Sequence, residues 1–218
     1  MFALFDGLLF DLDGTLWDAT EGICAAWNYV LERVMPELAG TVTPERMRPC
    51  LGMLLPDIAC KLFPWMDREE CARIAGQCNG PETIRLCAAG SVLFPGVRET
   101  LEQLAGRYRL FIVSNCQDGY IEAFLQTHDL GGYFTDYECP GRTGKPKADN
   151  IALVVERNGL QRPLYIGDTQ GDYNAATAAG VPFLHAAYGF GTIDRPVPAV
   201  TAFTQLPQAV AALENAPT

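Results

Sequence analysis

Positive charge is scarce in this 218-residue chain. Lysine occurs three times, at Lys61, Lys145 and Lys147, and the formal net charge is −10. No basic stripe exists to displace counterions from a phosphate backbone, which argues against a nucleic-acid partner. Long apolar runs are missing too: none approaches the ~18 residues of a membrane span, so no membrane partner is expected. The N-terminal stretch lacks a basic start and is interrupted by Asp6, Asp11 and Asp13, so no signal peptide is expected. The eight cysteines, at positions 24, 50, 60, 71, 78, 87, 116 and 139, include no Cys-x-x-Cys pair and no accompanying histidine. That usage fits free thiols in a reducing cytoplasm better than a disulfide or zinc framework. Internal repeats and low-complexity linkers are absent as well. What remains is ordinary globular material, 49% hydrophobic and 19% charged, enough for one substantial domain or a domain with a smaller insertion.

The most informative stretch is Leu8-Leu9-Phe10-Asp11-Leu12-Asp13-Gly14-Thr15-Leu16. Its apolar start reads as a buried strand, and the glycine marks where the chain turns away. Side chains two apart on a strand share a face, so Asp11 and Asp13 project together at the strand end. Carboxylates so close repel unless a cation sits between them or one takes a proton. The pair suits a hard divalent metal, an aspartyl nucleophile and a neighbouring acid/base group. Taken alone, it is equally a turn with two solvated acids.

Helical spacing follows over 18–34. Short helices broken by Pro49, Pro56, Pro64 and Pro81 are expected over 43–90, with the cysteines there as small buried residues. From Phe94 onward, short apolar strands near 110–113, 133–135, 163–166 and 181–187 alternate with helices, the last over 206–213. Such alternation predicts an α/β fold with a doubly wound parallel sheet and a helical insertion between its first and second strands. In such sheets ligands bind beyond the carboxyl ends of the strands. The polar residues there are Asp11 and Asp13, then Ser114 and Asn115, then Asp168 with Asp172 four residues on; Lys145 and Lys147 precede a helix. Phosphoryl transfer asks mainly for positioning and cation stabilisation, which this set supplies. Asp11 and Asp168 are natural Mg²⁺ ligands; Ser114 suits donation to a phosphate oxygen and Lys145 neutralisation of another. Lys147 reads as a surface charge, and Asp6 as a decoy ahead of the strand. Helix caps remain the alternative for Ser114 and Asp168.

Asp-Leu-Asp-Gly-Thr at 11–15, Ser114-Asn115 after a strand, Lys145-Pro146, and Gly167-Asp168-Thr169-Gln170-Gly171-Asp172 together resemble the four motifs of the haloacid dehalogenase-like hydrolase superfamily. The resemblance runs over essentially the whole chain. It is strongest to the phosphoglycolate phosphatase-like branch, whose helical C1 cap the insertion looks like. It implies a Rossmann-like core over 1–15 and 92–218 and a cap over 16–91. It further implies Asp11 as nucleophile and Asp13 as acid/base. Asp11, Asp168 and the Asp13 carbonyl would hold Mg²⁺, and Ser114 and Lys145 would hold the phosphoryl group. Asp172 would support the metal or Lys145 from behind, and Asn115 would orient substrate or flap. The substrate would be a small phosphorylated metabolite of the phosphoglycolate or sugar-phosphate type.

Asp13 disfavours the dehalogenase reaction, which lacks an acid at that place. The absence of histidine before position 128 disfavours a sugar-phosphate mutase, since Glu21-Gly22-Ile23 stands where its hinge histidine would be. Phosphonate cleavage needs a cap lysine, and Lys61 is the only candidate. Neither His128 nor His185 matches a family catalytic position. Arg46 or Arg48, in the segment resembling the cap specificity loop, would meet an anionic group of the substrate, and Trp17 is expected at the cap hinge. A catalytically silent, thiol-sensing protein on this fold is the alternative from outside enzymology.

Overall fold

The computed structural model describes residues 5–215. Residues 1–4 and 216–218 of the expected core, and the very start of the chain on which the signal-peptide expectation rests, lie outside the described residues. The order is β1 (Gly7–Phe10), β2 (Trp17–Asp18), α1 (Thr20–Val34), α2 (Pro44–Met47), α3 (Leu55–Leu62), α4 (Arg68–Gln77), α5 (Pro81–Ala89), β3 (Val92–Leu93), α6 (Val97–Ala105) and β4 (Arg109–Val113). It continues with α7 (Tyr120–Thr127), β5 (Phe134–Glu138), α8 (Pro140–Thr143), α9 (Lys147–Arg157), β6 (Pro163–Gly167), α10 (Gln170–Ala178), β7 (Phe183–Ala186), β8 (Ala199–Val200) and α11 (Leu206–Glu214). No helix among the described residues is long and apolar enough to cross a membrane.

Six strands form one parallel sheet in the order β5-β4-β1-β6-β7-β8. β1 is buried on both faces, as a central parallel strand of four apolar-packed residues must be. Leu8, Phe10, Leu110, Ile112, Leu164 and Ile166 pack to one side with α6, α7 and α11; Leu9, Phe111, Val113 and Tyr165 pack to the other with α9. The register pairs Phe10 with both Ile112 and Ile166, so three strands end level. Asp11 follows directly, and its N–H donates to the Ile166 carbonyl at 2.8 Å. This levelling is what gathers the motif residues.

Residues 20–89 are helical with no strand, as expected from their proline-punctuated sequence. The antiparallel ribbon of β2 and β3, unread in the sequence because each strand has two residues, brackets this helical segment. Asp18, expected inside the first helix, lies ahead of it and accepts from Thr20 N–H at 2.9 Å. Within the segment α1 and α5 pack backbone to backbone at glycine: a Cβ on Gly22 would lie 2.0 Å from the Cys87 carbonyl oxygen. All eight cysteines are free.

Candidate active site

Gly14 turns the chain at the end of β1 in the left-handed region, φ +83°, and a Cβ there would stand 2.3 Å from Asp168 Oδ2. Glycine at this place lets the β1 turn lie against the β6 end. The result is a buried cluster in which one oxygen each of Asp11, Asp168 and Asp172 falls within 4.8 Å of the others.

The sequence assigned the site lysine to Lys145, and the structure corrects this. Lys145 is exposed; its N–H donates to Thr143 Oγ1 at 3.1 Å and its carbonyl accepts from Asn150 Nδ2 at 3.1 Å. Lys147 is the buried lysine. Its Nζ donates to Asp11 Oδ1 at 2.6 Å and also to Asp172 Oδ1. The reason is helical geometry. Lys147 opens α9 on the same stripe as Ile151 and Val154, i+4 and i+7, and that stripe faces the sheet. A side chain at the first helical position leans back past the helix start, toward the strand ends. Burial alone pushes the lysine down, but the charges of Asp11 and Asp172 more than reverse this, so Lys147 remains a cation.

The carboxylates are partnered unequally. Asp172 spends both oxygens: Oδ1 on Lys147, Oδ2 on the N–H and hydroxyl of Thr169 at 2.9 and 2.7 Å, in a capping box that starts α10. Asp168 Oδ2 accepts from the N–H groups of Phe190 and Gly191 at 2.7 and 3.3 Å, while its Oδ1 is buried without a partner. Asp11 Oδ2 is likewise buried and unpartnered. Burial and the charge of Asp172 push both the Asp11 and Asp168 carboxyls up. Ser114, 3% exposed, lies close enough to Asp11 for its side chain to favour the ionised form.

Asp13 stands apart from this cluster in its partners. Its Oδ1 accepts from Trp17 Nε1 at 2.8 Å and from Tyr120 OH at 3.0 Å, and it borders a cavity beneath the helical segment. Burial, with the neighbouring Asp11 charge, raises its carboxyl to about 7. Trp17, expected at a cap hinge, sits in the β2–β3 ribbon, with a hydrogen bond the sequence did not disclose. Tyr120 was missed altogether: a tyrosine opening a helix after a glycine carries no distinguishing signal. The Gly189–Gly191 loop that supplies Asp168 with N–H groups was missed for the same reason.

Asn115 reaches across to the helical segment, donating from Nδ2 to the Gly52 carbonyl at 3.0 Å. Arg46 is not brought to the site. It donates to the Thr41 and Leu62 carbonyls, with its guanidinium over the Phe63 ring at 5.7 Å, and so braces the helical segment internally. Arg48 borders a second cleft shared with Thr169, Gln170 and Phe190. Lys61 is exposed and donates to the Pro49 carbonyl. Asp6 accepts from the N–H groups of Gln161 and Arg162 at 2.8 and 2.9 Å, at the opposite end of the sheet. His185 meets the backbone carbonyl of Asp168 at 3.1 Å, not its carboxylate.

This arrangement resembles known proteins. A sequence profile described as haloacid dehalogenase-like hydrolase matches residues 8–186. A phosphoglycolate phosphatase of Escherichia coli K12 is 28% identical over 209 aligned positions covering 84% of this chain and 82% of that protein. The enzyme of the same name from Salmonella typhimurium LT2 is 29% identical over 210 positions, with the same coverage of 84% and 82%. Among solved structures, a predicted phosphatase from Clostridium acetobutylicum superposes with a TM-score of 0.82 at 20% identity, covering 95% of this chain and 99% of that one. A haloacid dehalogenase-like hydrolase from Bacteroides fragilis gives 0.79 at 25% identity, covering 93% and 99%.

Proposed function

The chain belongs to the haloacid dehalogenase-like hydrolase family, and from that premise we propose that it is a Mg²⁺-dependent phosphatase. It hydrolyses a small phosphomonoester through an aspartyl-phosphate intermediate. The relatives' name and the motif set put forward the phosphoglycolate and sugar-phosphate types. The observation that carries this reading is the division between the two aspartates of the first motif. Asp11 sits with Lys147, Asp168 and a free oxygen of its own, while Asp13 is turned to Trp17 and Tyr120 at the cavity.

The residues fit a hard cation. Two buried carboxylate oxygens, Asp11 Oδ2 and Asp168 Oδ1, have no hydrogen-bond partner, and like charges so placed call for positive charge between them. Asp11 and Asp168, with the Asp13 carbonyl, would hold Mg²⁺; both Asp172 oxygens already accept hydrogen bonds, and it instead holds Lys147 in place. When bound, the ion supplies charge neutralisation at the phosphoryl oxygens.

Ser114 and Lys147 bind the transferring phosphoryl group, the hydroxyl donating and the ammonium offsetting its charge. Asp11 attacks phosphorus, the P–O bond to the alcohol breaks, and Asp13 gives its proton to the departing oxygen. Asp13 then takes a proton from water as that water attacks the aspartyl-phosphate, releasing inorganic phosphate and freeing Asp11. Residues 16–91 act as a cap hinged at the β2–β3 ribbon, and the Asn115–Gly52 bond helps hold it shut and dry. Eight free thiols suit a reducing cytoplasm as the place of action.

The test is turnover of p-nitrophenyl phosphate with Mg²⁺ by wild type and Asp11→Asn. Loss of at least about a thousandfold in kcat is expected, and wild-type turnover by the variant would refute the mechanism.

A further inference from the structure

The mechanism puts the leaving alcohol beside Asp13, where the cavity lies. Its wall is made by Ile23 and Trp27 of α1, Leu51 and Met53 of the loop before α3, and Leu55 and Ile58 of α3. Cys78 and Cys87 also border it, and burial pushes the Cys78 thiol up to about 12 and Cys87 higher still, so neither adds charge. Among the described residues, no lysine or arginine lines the cavity. Of the cations of the helical segment nearest in sequence, Arg46 is bonded to the Thr41 and Leu62 carbonyls and Lys61 to that of Pro49, while Arg48 is exposed and borders the other cleft.

Two side-chain amides complete the wall. Asn115 spends one N–H on the Gly52 carbonyl. Gln117 is 8% exposed, borders the cavity, and its amide has no hydrogen-bond partner among the described residues. An unpartnered amide on a residue that borders the cavity offers two N–H donors and a carbonyl acceptor to whatever enters.

A carboxylate or second phosphate held against this wall would be buried without a cation and close to Asp13, which is unfavourable on both counts. A neutral alcohol instead gains from the apolar surface, and one hydroxyl or carbonyl on it satisfies Gln117. The cavity measures about 40 Å³, and a water needs roughly 10–15 Å³, so a few non-hydrogen atoms fill it. We infer that the substrate is the phosphate ester of a small uncharged alcohol bearing one hydrogen-bonding group, which Gln117 recognises. This rests on the phosphatase reading and narrows it away from phosphoglycolate, whose leaving group carries a carboxylate.

The experiment compares kcat/KM of the Mg²⁺-loaded wild type on 2-hydroxyethyl phosphate, phosphoglycolate and n-propyl phosphate, with p-nitrophenyl phosphate as a generic reference. Hydroxyethyl phosphate is expected to exceed phosphoglycolate at least about tenfold, as fits an unpaired buried charge. Gln117→Leu should erase the advantage of hydroxyethyl over propyl phosphate, and Met53→Arg should narrow the phosphoglycolate deficit by about tenfold. Phosphoglycolate turned over as well as hydroxyethyl phosphate, with p-nitrophenyl phosphate also hydrolysed, overturns this inference and leaves the phosphatase standing. Inactivity on all four esters removes the phosphatase reading, and this inference with it.

Discussion

Lys147 is held between Asp11 and Asp172 with 6% of its surface exposed, so its removal strands two carboxylates in the interior. Breaking a buried pair from one side costs about 3–5 kcal/mol. Lys147→Met is therefore expected to lower the unfolding free energy of the metal-free protein by that much, as read from the midpoint and slope of its denaturant melt, and to depress kcat/KM at least about a hundredfold. Lys145→Ala, at an exposed position, should stay within about 0.5 kcal/mol of wild type and keep its activity. Equal losses in the two variants would contradict the placement. At Asp13, Tyr120→Phe removes one of the two donors to Oδ1 while Trp17 keeps the other. A fall of about tenfold in kcat with KM little changed is expected, consistent with one lost hydrogen bond to an ionisable group. The contrast between the two lysines also shows what was legible. The Lys-Pro dipeptide pointed to Lys145, whereas the i, i+4, i+7 stripe through Ile151 and Val154, which the surface-charge reading of Lys147 passed over, puts Lys147 on the buried face. Tyr120 and Gln117 carried no comparable pattern, because their roles depend on how the loop after β4 meets the helical segment.

At the level of elements, α9 is tied to the sheet edge by Arg157, which donates to Asp136 Oδ2 at 2.6 Å and to Glu138 Oε2 at 2.8 Å on β5. Burial pushes the Asp136 carboxyl up, but hydrogen bonds from Arg157, Asn158 and the Tyr137 N–H bring it below its usual 3.8. A folded-state value below the unfolded one means stability that is present above about pH 4 and lost as pH falls through the folded value. Arg157→Ala should thus cost about 1 kcal/mol at pH 7, discounted because the guanidinium is partly in water. The difference from wild type should shrink on acidification to pH 3, as read from urea melts at the two pH values. Elsewhere, Gly22→Ala pushes α1 off α5, because the Cys87 carbonyl occupies the space of the new Cβ. A loss of about 1–3 kcal/mol is expected, the usual cost of overpacking. The parallel strands and long helices followed from apolar runs and periodicity. The two-residue strands β2, β3 and β8 did not, since a pair of residues shows no alternation, and their pairing is fixed by chain segments far away in sequence.

For the molecule as a whole, the site is built at some expense to its own stability. Ionised Asp11, Asp168 and Asp172 bring three negative charges into one buried cluster against the single positive charge of Lys147. The fold tolerates this because the level ends of β1, β4 and β6 leave these residues nowhere else to go. A divalent cation would balance the excess of two, and since it binds the folded form it must raise the melting temperature. At a hundred times the dissociation constant the gain is about 2.7 kcal/mol, or roughly 5–10 °C for a chain of this size. Asp168→Asn separates this from any general salt effect. It deletes one of the two unpartnered carboxylate oxygens and one unit of repulsion, leaving the Phe190 and Gly191 N–H groups an amide oxygen to bond. Without Mg²⁺ the variant should therefore melt higher than wild type, yet gain little on adding the ion and turn over p-nitrophenyl phosphate poorly. Melting curves of both proteins in chelator and in excess Mg²⁺ give the four temperatures needed. If the variant melts lower than wild type in chelator and shifts as far with Mg²⁺, then Asp168 does not carry the strain that the ion relieves.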